Sequence, residues 1–159
     1  ALHWMSPADD VIAGVWRALR CGGRFVAELG GHGCIATIVA AVYDALAKRG
    51  IDGTGLNPWY FPAREDYTGR LVACGFRVDS IAFIPRPTLL PGDIGGLLET
   101  FFECFTAVGA RSERPTFLDE VREALRPKLC DANGVWTADY MLLRFAATTP
   151  ARGPRRERA

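Results

Sequence analysis

The run Tyr140-Met141-Leu142-Leu143-Arg144-Phe145-Ala146 constrains this chain more than any other segment. It is nearly continuously apolar and too short for a typical helix, so it reads as a strand covered on both faces. A strand of that kind needs layers above and below it. The rest of the chain supplies them by alternating strand-like and helix-like segments, which implies an α/β sheet flanked by helices.

The first helix is expected to open at Ser6 as N-cap, with Pro7 in the first helical position and Asp9 and Asp10 in the first turn. Val11, Ile12, Val15, Trp16 and Leu19 give it one apolar stripe, and Gly22-Gly23 end it. Residues 24–29 form a short strand between glycine pairs. A second helix runs from after Gly33 to about Lys48, residues 50–62 are a turn-rich loop, and a third helix spans about 63–74 with Gly75 as its stop. Residues 76–84 read as a strand whose apolar phase changes at Asp79-Ser80, ended by Pro85-Arg86-Pro87. Helices at 94–107 and 115–129 follow, the second expected to kink or end near Arg126 because of Pro127. The strand 140–146 closes the fold, and 148–159 is expected to be a disordered basic tail.

Apolar residues make up 49% and charged residues 23% of the 159, which excludes a disordered chain or a collagen-like repeat. The net charge is +1, and the tail beyond Ala151 alone carries +3, which leaves −2 for residues 1–151. A folded nucleic-acid binder usually shows a basic face, so no nucleic-acid partner is expected. No run approaches the length of a membrane span, and no membrane partner is expected. The protein is expected to be soluble and cytoplasmic. The five cysteines, Cys21, Cys34, Cys74, Cys104 and Cys130, are too widely spaced for a zinc motif and read as small core residues, so no metal is assigned.

Four places invite a functional reading. Gly31-x-Gly33-x-x-Ala36 lies between a strand and a helix, where a dinucleotide-binding turn would stand. The second strand such a motif needs is not visible before Asp52, so a ligand-facing loop and a simple tight turn stay open beside it. His3-Trp4 is either a pocket pair or a structural one. Glu28, inside an apolar strand, is either a carboxylate held by an arginine or backbone, or a pocket acid. Trp59-Tyr60-Phe61 in a loop suits a pocket wall or lid.

Leu2-His3-Trp4, Leu19-Arg20-Cys21-Gly22-Gly23-Arg24-Phe25, Trp59-Tyr60-Phe61-Pro62, Gly75-Phe76 and Trp136-Thr137-Ala138-Asp139-Tyr140 resemble the later half of class I S-adenosylmethionine-dependent methyltransferases. The trans-aconitate methyltransferase-like branch is the most similar, and Cys21 departs from it by standing where that group usually has proline. The resemblance covers 1–147 and implies the C-terminal portion of a Rossmann-like sheet: strands five, six and seven, the last antiparallel and placed between the other two, with a two-helix insertion before it. It implies S-adenosylmethionine as cofactor and a small-molecule substrate, a carboxylic acid among the candidates. His3, Trp4, Gly30, Gly31, His32, Trp59 and Tyr60 would line the pocket. No general base is named. The family's glycine-rich loop and acidic ribose ligand lie upstream of the matched part. The expectation is therefore an incomplete domain that is inactive and does not bind the cofactor tightly alone. A different class of reading is a non-catalytic α/β remnant that pairs with itself, as a homodimer through the sheet edge at 24–29, or with another chain.

Overall fold

The structure, a computed structural model, describes residues 1–107 and 111–151. In chain order the elements are a 3-10 turn at Leu2–Trp4, α1 (Ala8–Ala18), β1 (Arg24–Gly30), α2 (Ala36–Ala47), a 3-10 turn at Thr54–Leu56, α3 (Arg64–Cys74), β2 (Arg77–Leu89), α4 (Ile94–Phe101), α5 (Glu103–Thr106), a 3-10 turn at Arg111–Glu113, α6 (Arg114–Leu129) and β3 (Thr137–Thr148). They fall into two compact units: Ala1–His32, Tyr60–Ile84 and the chain from Met141 in one, Gly33–Trp59 and Pro85–Tyr140 in the other. No helix among the described residues is long and apolar enough to cross a membrane.

The sheet has the order β1-β3-β2, so the last strand in sequence is the middle one in space. β3 runs antiparallel to β1, from Arg24 opposite Thr148 to Gly30 opposite Leu142. Alternation then turns Phe25, Ala27 and Leu29 of β1 and Leu143, Phe145 and Ala147 of β3 to one face. That face packs on Ile12 of α1 and on Tyr67 and Leu71 of α3. Aromatic contacts fill its centre: Phe25 stands edge-on to Phe145 at 4.8 Å, and Tyr67 lies 5.1 Å from the same ring. Gly75 ends α3 at φ +107°, where a Cβ would also sit 2.9 Å from Trp16. Two independent constraints therefore require glycine there.

Several sequence expectations change. The Ser6 cap is not formed: Pro7 is itself extended at ψ 142°, so the helix starts at Ala8. β3 is longer than 140–146, and its second face is only partly covered, with Leu142 and Ala146 half-buried and Arg144 exposed. Order continues beyond the expected start of the tail. Thr148 closes β3, and Thr149 is buried, its hydroxyl donating to Arg20 O and accepting from Gly23 N. The rest of the tail, 152–159, lies outside the described residues. Pro85 and Pro87 do not end β2, which reaches Leu89. β2 is an end strand, and a strand paired on one side tolerates missing N–H groups on the other. In β2 the half-buried positions are Val78, Ile81 and Ile84, so Phe83 faces outward more than the sequence suggests. Of the cysteines, only Cys34 is buried and Cys21 is exposed.

The second unit packs α2 against α6 and α4 against α6. Ile38, Val42 and Leu46 meet a core that includes Val121, Leu125, Ile94 and Leu98. The expected helix 94–107 breaks at Phe102, whose φ of −109° is not helical. α6 instead runs through Pro127 to Leu129, because the proline falls in the last turn and disturbs only that turn.

Candidate functional site

The predicted pocket residues of the first unit meet around His3. The short turn Leu2–Trp4 projects its imidazole at the end of β1, where Nδ1 accepts a hydrogen bond from Gly30 N at 3.0 Å. The His3 carbonyl accepts from Tyr60 N at 2.9 Å, and the Phe61 ring lies 5.6 Å from the imidazole. Two residues on, His32 N donates to Pro62 O at 2.9 Å. Backbone bonds thus tie 3, 30, 32 and 60–62 into one cluster. His32 itself is exposed, and Trp4 is 44% exposed with its ring 6.1 Å from that of His3.

Because Nδ1 accepts from a backbone N–H, the neutral imidazole carries its proton on Nε2 and offers a donor there. Burial holds the His3 pKa below the ordinary histidine value. The unfolded chain therefore binds the proton more readily, so stability rises with pH through the window below about 6.5 and is lost as pH falls toward the folded-state value. His3→Asn keeps an acceptor for Gly30 N and removes the titration. It is expected to flatten the loss of melting temperature between pH 7 and 5, and an unchanged slope would assign that slope to other groups.

Gly31 is a glycine for packing. A Cβ there would sit 2.6 Å from Phe83 Cε1 and 3.0 Å from Leu143 Cβ. Tyr60 is half-buried and held from α3: its hydroxyl donates to Asp66, and the Arg70 guanidinium, paired with Asp9 at 2.6 Å, lies 5.5 Å over its ring. Burial first, then Asp66, raise the phenol well above its usual range. Trp59 differs from its neighbour. It is a buried core residue of the second unit, edge-on to Phe102 at 4.9 Å, so the expected wall of Trp59 with Tyr60 is not what this side chain forms. Glu28 is the carboxylate held by an arginine: its Oε2 accepts from Arg144 Nε directly across on β3 at 2.7 Å.

Asp139, quoted in the sequence only as part of Trp136–Tyr140, was given no role there. Its Oδ2 accepts from Thr37 N at 2.8 Å and its carbonyl from Ile35 N at 3.0 Å, so a carboxylate from β3 caps α2. That cap corrects the dinucleotide reading of Gly31–Ala36, since a fixed negative charge already sits where a phosphate would go. The strand read from the sequence began at Tyr140, one residue later, so nothing there placed this acid inside a strand.

The carboxylates beside this cluster are already engaged, Asp66 by Tyr60 and Arg70 and Glu28 by Arg144, and the space beside Gly31 is filled by Phe83 and Leu143. These residues do not by themselves fit S-adenosylmethionine. Among the described residues no group of three or more His, Cys, Asp or Glu is placed to hold a metal ion.

No protein-family model matches the chain. It is 37% identical over 158 residues to an uncharacterized methyltransferase of Schizosaccharomyces pombe, covering 92% of this chain. Over most of its own length the chain is therefore similar to a methyltransferase. It spans 59% of the length of that yeast protein. A Bacillus halodurans structure described as a methyltransferase superposes with a TM-score of 0.53 at 12% identity, over 95% of this chain and 62% of its own. The YcgJ protein of Bacillus subtilis gives 0.51 at 13% identity, over 94% and 61%. At such identities these two speak for the fold alone. The antiparallel β3 between β1 and β2 agrees with the methyltransferase sheet expected from the sequence.

Proposed function

We propose that this methyltransferase relative serves methyl transfer from S-adenosylmethionine to a small molecule, contributing the substrate side of the pocket rather than the grip on the cofactor. The 37% identity to a methyltransferase carries this reading. His3 adds the chemistry. A neutral imidazole fixed by Gly30 and donating through Nε2 suits a carboxylate, so a small carboxylic acid of the trans-aconitate type is the proposed substrate class. Displacement at a sulfonium methyl needs alignment more than proton transfer, and a group held by the backbone aligns well.

Titration calorimetry of the 159-residue chain with S-adenosylmethionine is expected to show no micromolar binding. In the active methyltransferase that contains these residues, His3→Ala is expected to lower kcat/KM for a carboxylate substrate about tenfold, equivalent to about 1.4 kcal/mol. Micromolar binding by the chain would overturn the division of labour proposed here. Unchanged turnover with a lowered melting temperature would leave His3 structural.

A further inference from the structure

We propose that Asp66 is a positioning residue: by taking the Tyr60 hydroxyl it holds the segment Tyr60–Pro62 against His3, and so fixes where the imidazole aims Nε2. The inference rests on the substrate-facing role proposed for His3 and names what keeps that group in place. His3 is held at two points. Gly30 N, at 3.0 Å from Nδ1, fixes the turn of the ring, and the His3 carbonyl, accepting from Tyr60 N at 2.9 Å, fixes its backbone. The second point belongs to residues 60–62. They also set the Phe61 ring 5.6 Å from the imidazole and take the His32 amide on Pro62 O at 2.9 Å. This segment lies outside helix and sheet, where few backbone bonds resist local opening. Of its three side chains, only that of Tyr60 carries a hydrogen-bonding group, so any polar anchor has to act there.

The anchor joins two helices to that hydroxyl. Tyr60 donates to Asp66 Oδ2 in the first turn of α3. Arg70, one helical turn further on, donates through Nε to the same carboxylate at 3.2 Å and places its guanidinium 5.5 Å over the Tyr60 ring. Its Nη1 reaches Asp9 of α1 at 2.6 Å, which ties the group to the helix packed against α3. The Tyr60 hydroxyl first, and then Arg70, outweigh partial burial and hold the Asp66 carboxyl below the usual carboxylate range. The positive end of α3 favours the same ionised state. Tyr60 in turn stays protonated, its phenol raised by burial and by Asp66. Donor and acceptor therefore keep their states through the neutral range. A carboxylate already engaged by two donors is a poor base, and its charge would repel a carboxylate substrate, so the position of its partners is what Asp66 controls.

Amide hydrogen exchange on the 159-residue chain reads the anchor directly. Tyr60→Phe and Asp66→Ala are expected to lower the protection of the Tyr60 and His32 amides about tenfold, whereas Asp66→Asn keeps an acceptor and retains most of it. Thermal melting of each variant checks that it folds. In the active methyltransferase that contains these residues, Tyr60→Phe and Asp66→Ala should each lower kcat about fivefold with little change in KM, and Asp66→Asn should recover most of the loss. Neither change should cost anything further in a His3→Ala background, since the effect passes through His3. Unaltered amide protection would overturn the anchor whatever the reaction. A loss of kcat that persists in full without His3 would overturn the positioning role. Unchanged turnover in His3→Ala alone would overturn the reading of His3 and the positioning role with it, and the amide protections separate that failure from a failure of the anchor.

Discussion

Phe145→Ala is expected to remove about 3–5 kcal/mol of folding stability, the largest loss from any single core truncation here. Phe145 is buried in the middle strand of the sheet and touches Phe25 and Tyr67 through ring contacts at 4.8 and 5.1 Å. Its neighbours come from β1 on one side and α3 on the other, two elements fixed by other contacts, so the cavity has little room to collapse. Urea titration of the variant should show the midpoint falling with an unchanged slope. A loss below about 1.5 kcal/mol would mean that the aromatic cluster repacks freely, against the density expected of a protein interior.

Gly31→Ala is expected to cost about 1–3 kcal/mol, although it adds one methyl group. The new carbon would fall 2.6 Å from the edge of Phe83 and 3.0 Å from Leu143 Cβ. Leu143 is buried in β3 and cannot retreat, whereas Phe83 is 36% exposed and can swing outward. The double variant Gly31→Ala/Phe83→Ala should therefore recover a large part of the loss, giving a coupling energy that neither single change predicts. Additive losses in that cycle would place the strain on Leu143 alone. The pair also separates two roles for this glycine. If room for a ligand were the reason for it, removing Phe83 would restore nothing.

The three strands were legible because their signals are local. Residues 24–29 stand between glycines, 76–84 begin after a helix stop, and 140–146 is too apolar to lie at a surface. The middle position of β3 was legible only through the family resemblance, because nothing in a strand's own sequence names its neighbours. Proline misled twice in the same way. Pro85 and Pro87 in β2, and Pro127 in α6, remove donors whose bonds were not needed at an edge or in a last turn. Trp59 and Tyr60 are adjacent in sequence, yet one enters an aromatic core and the other is held by Asp66 and Arg70. Side-chain type alone does not reveal such a divergence. Asp139 was missed for a related reason: its partner Thr37 is 102 residues away, and a cap formed across that distance leaves no spacing to read.

The place of β3 also bears on how the protein is made. β1 and β2 leave the ribosome first, but neither touches the other in the sheet, so both wait for the strand that comes between them. The α2 cap waits too, since Asp139 lies in that same late segment. Until it emerges, β1 lacks its neighbour on that side of the sheet, although α1 and α3 are already there to cover Phe25, Ala27 and Leu29. Sheet formation is then dominated by contacts distant in sequence, which makes it slow. Folding limited by that late central pairing follows from the order in which three strands are encoded.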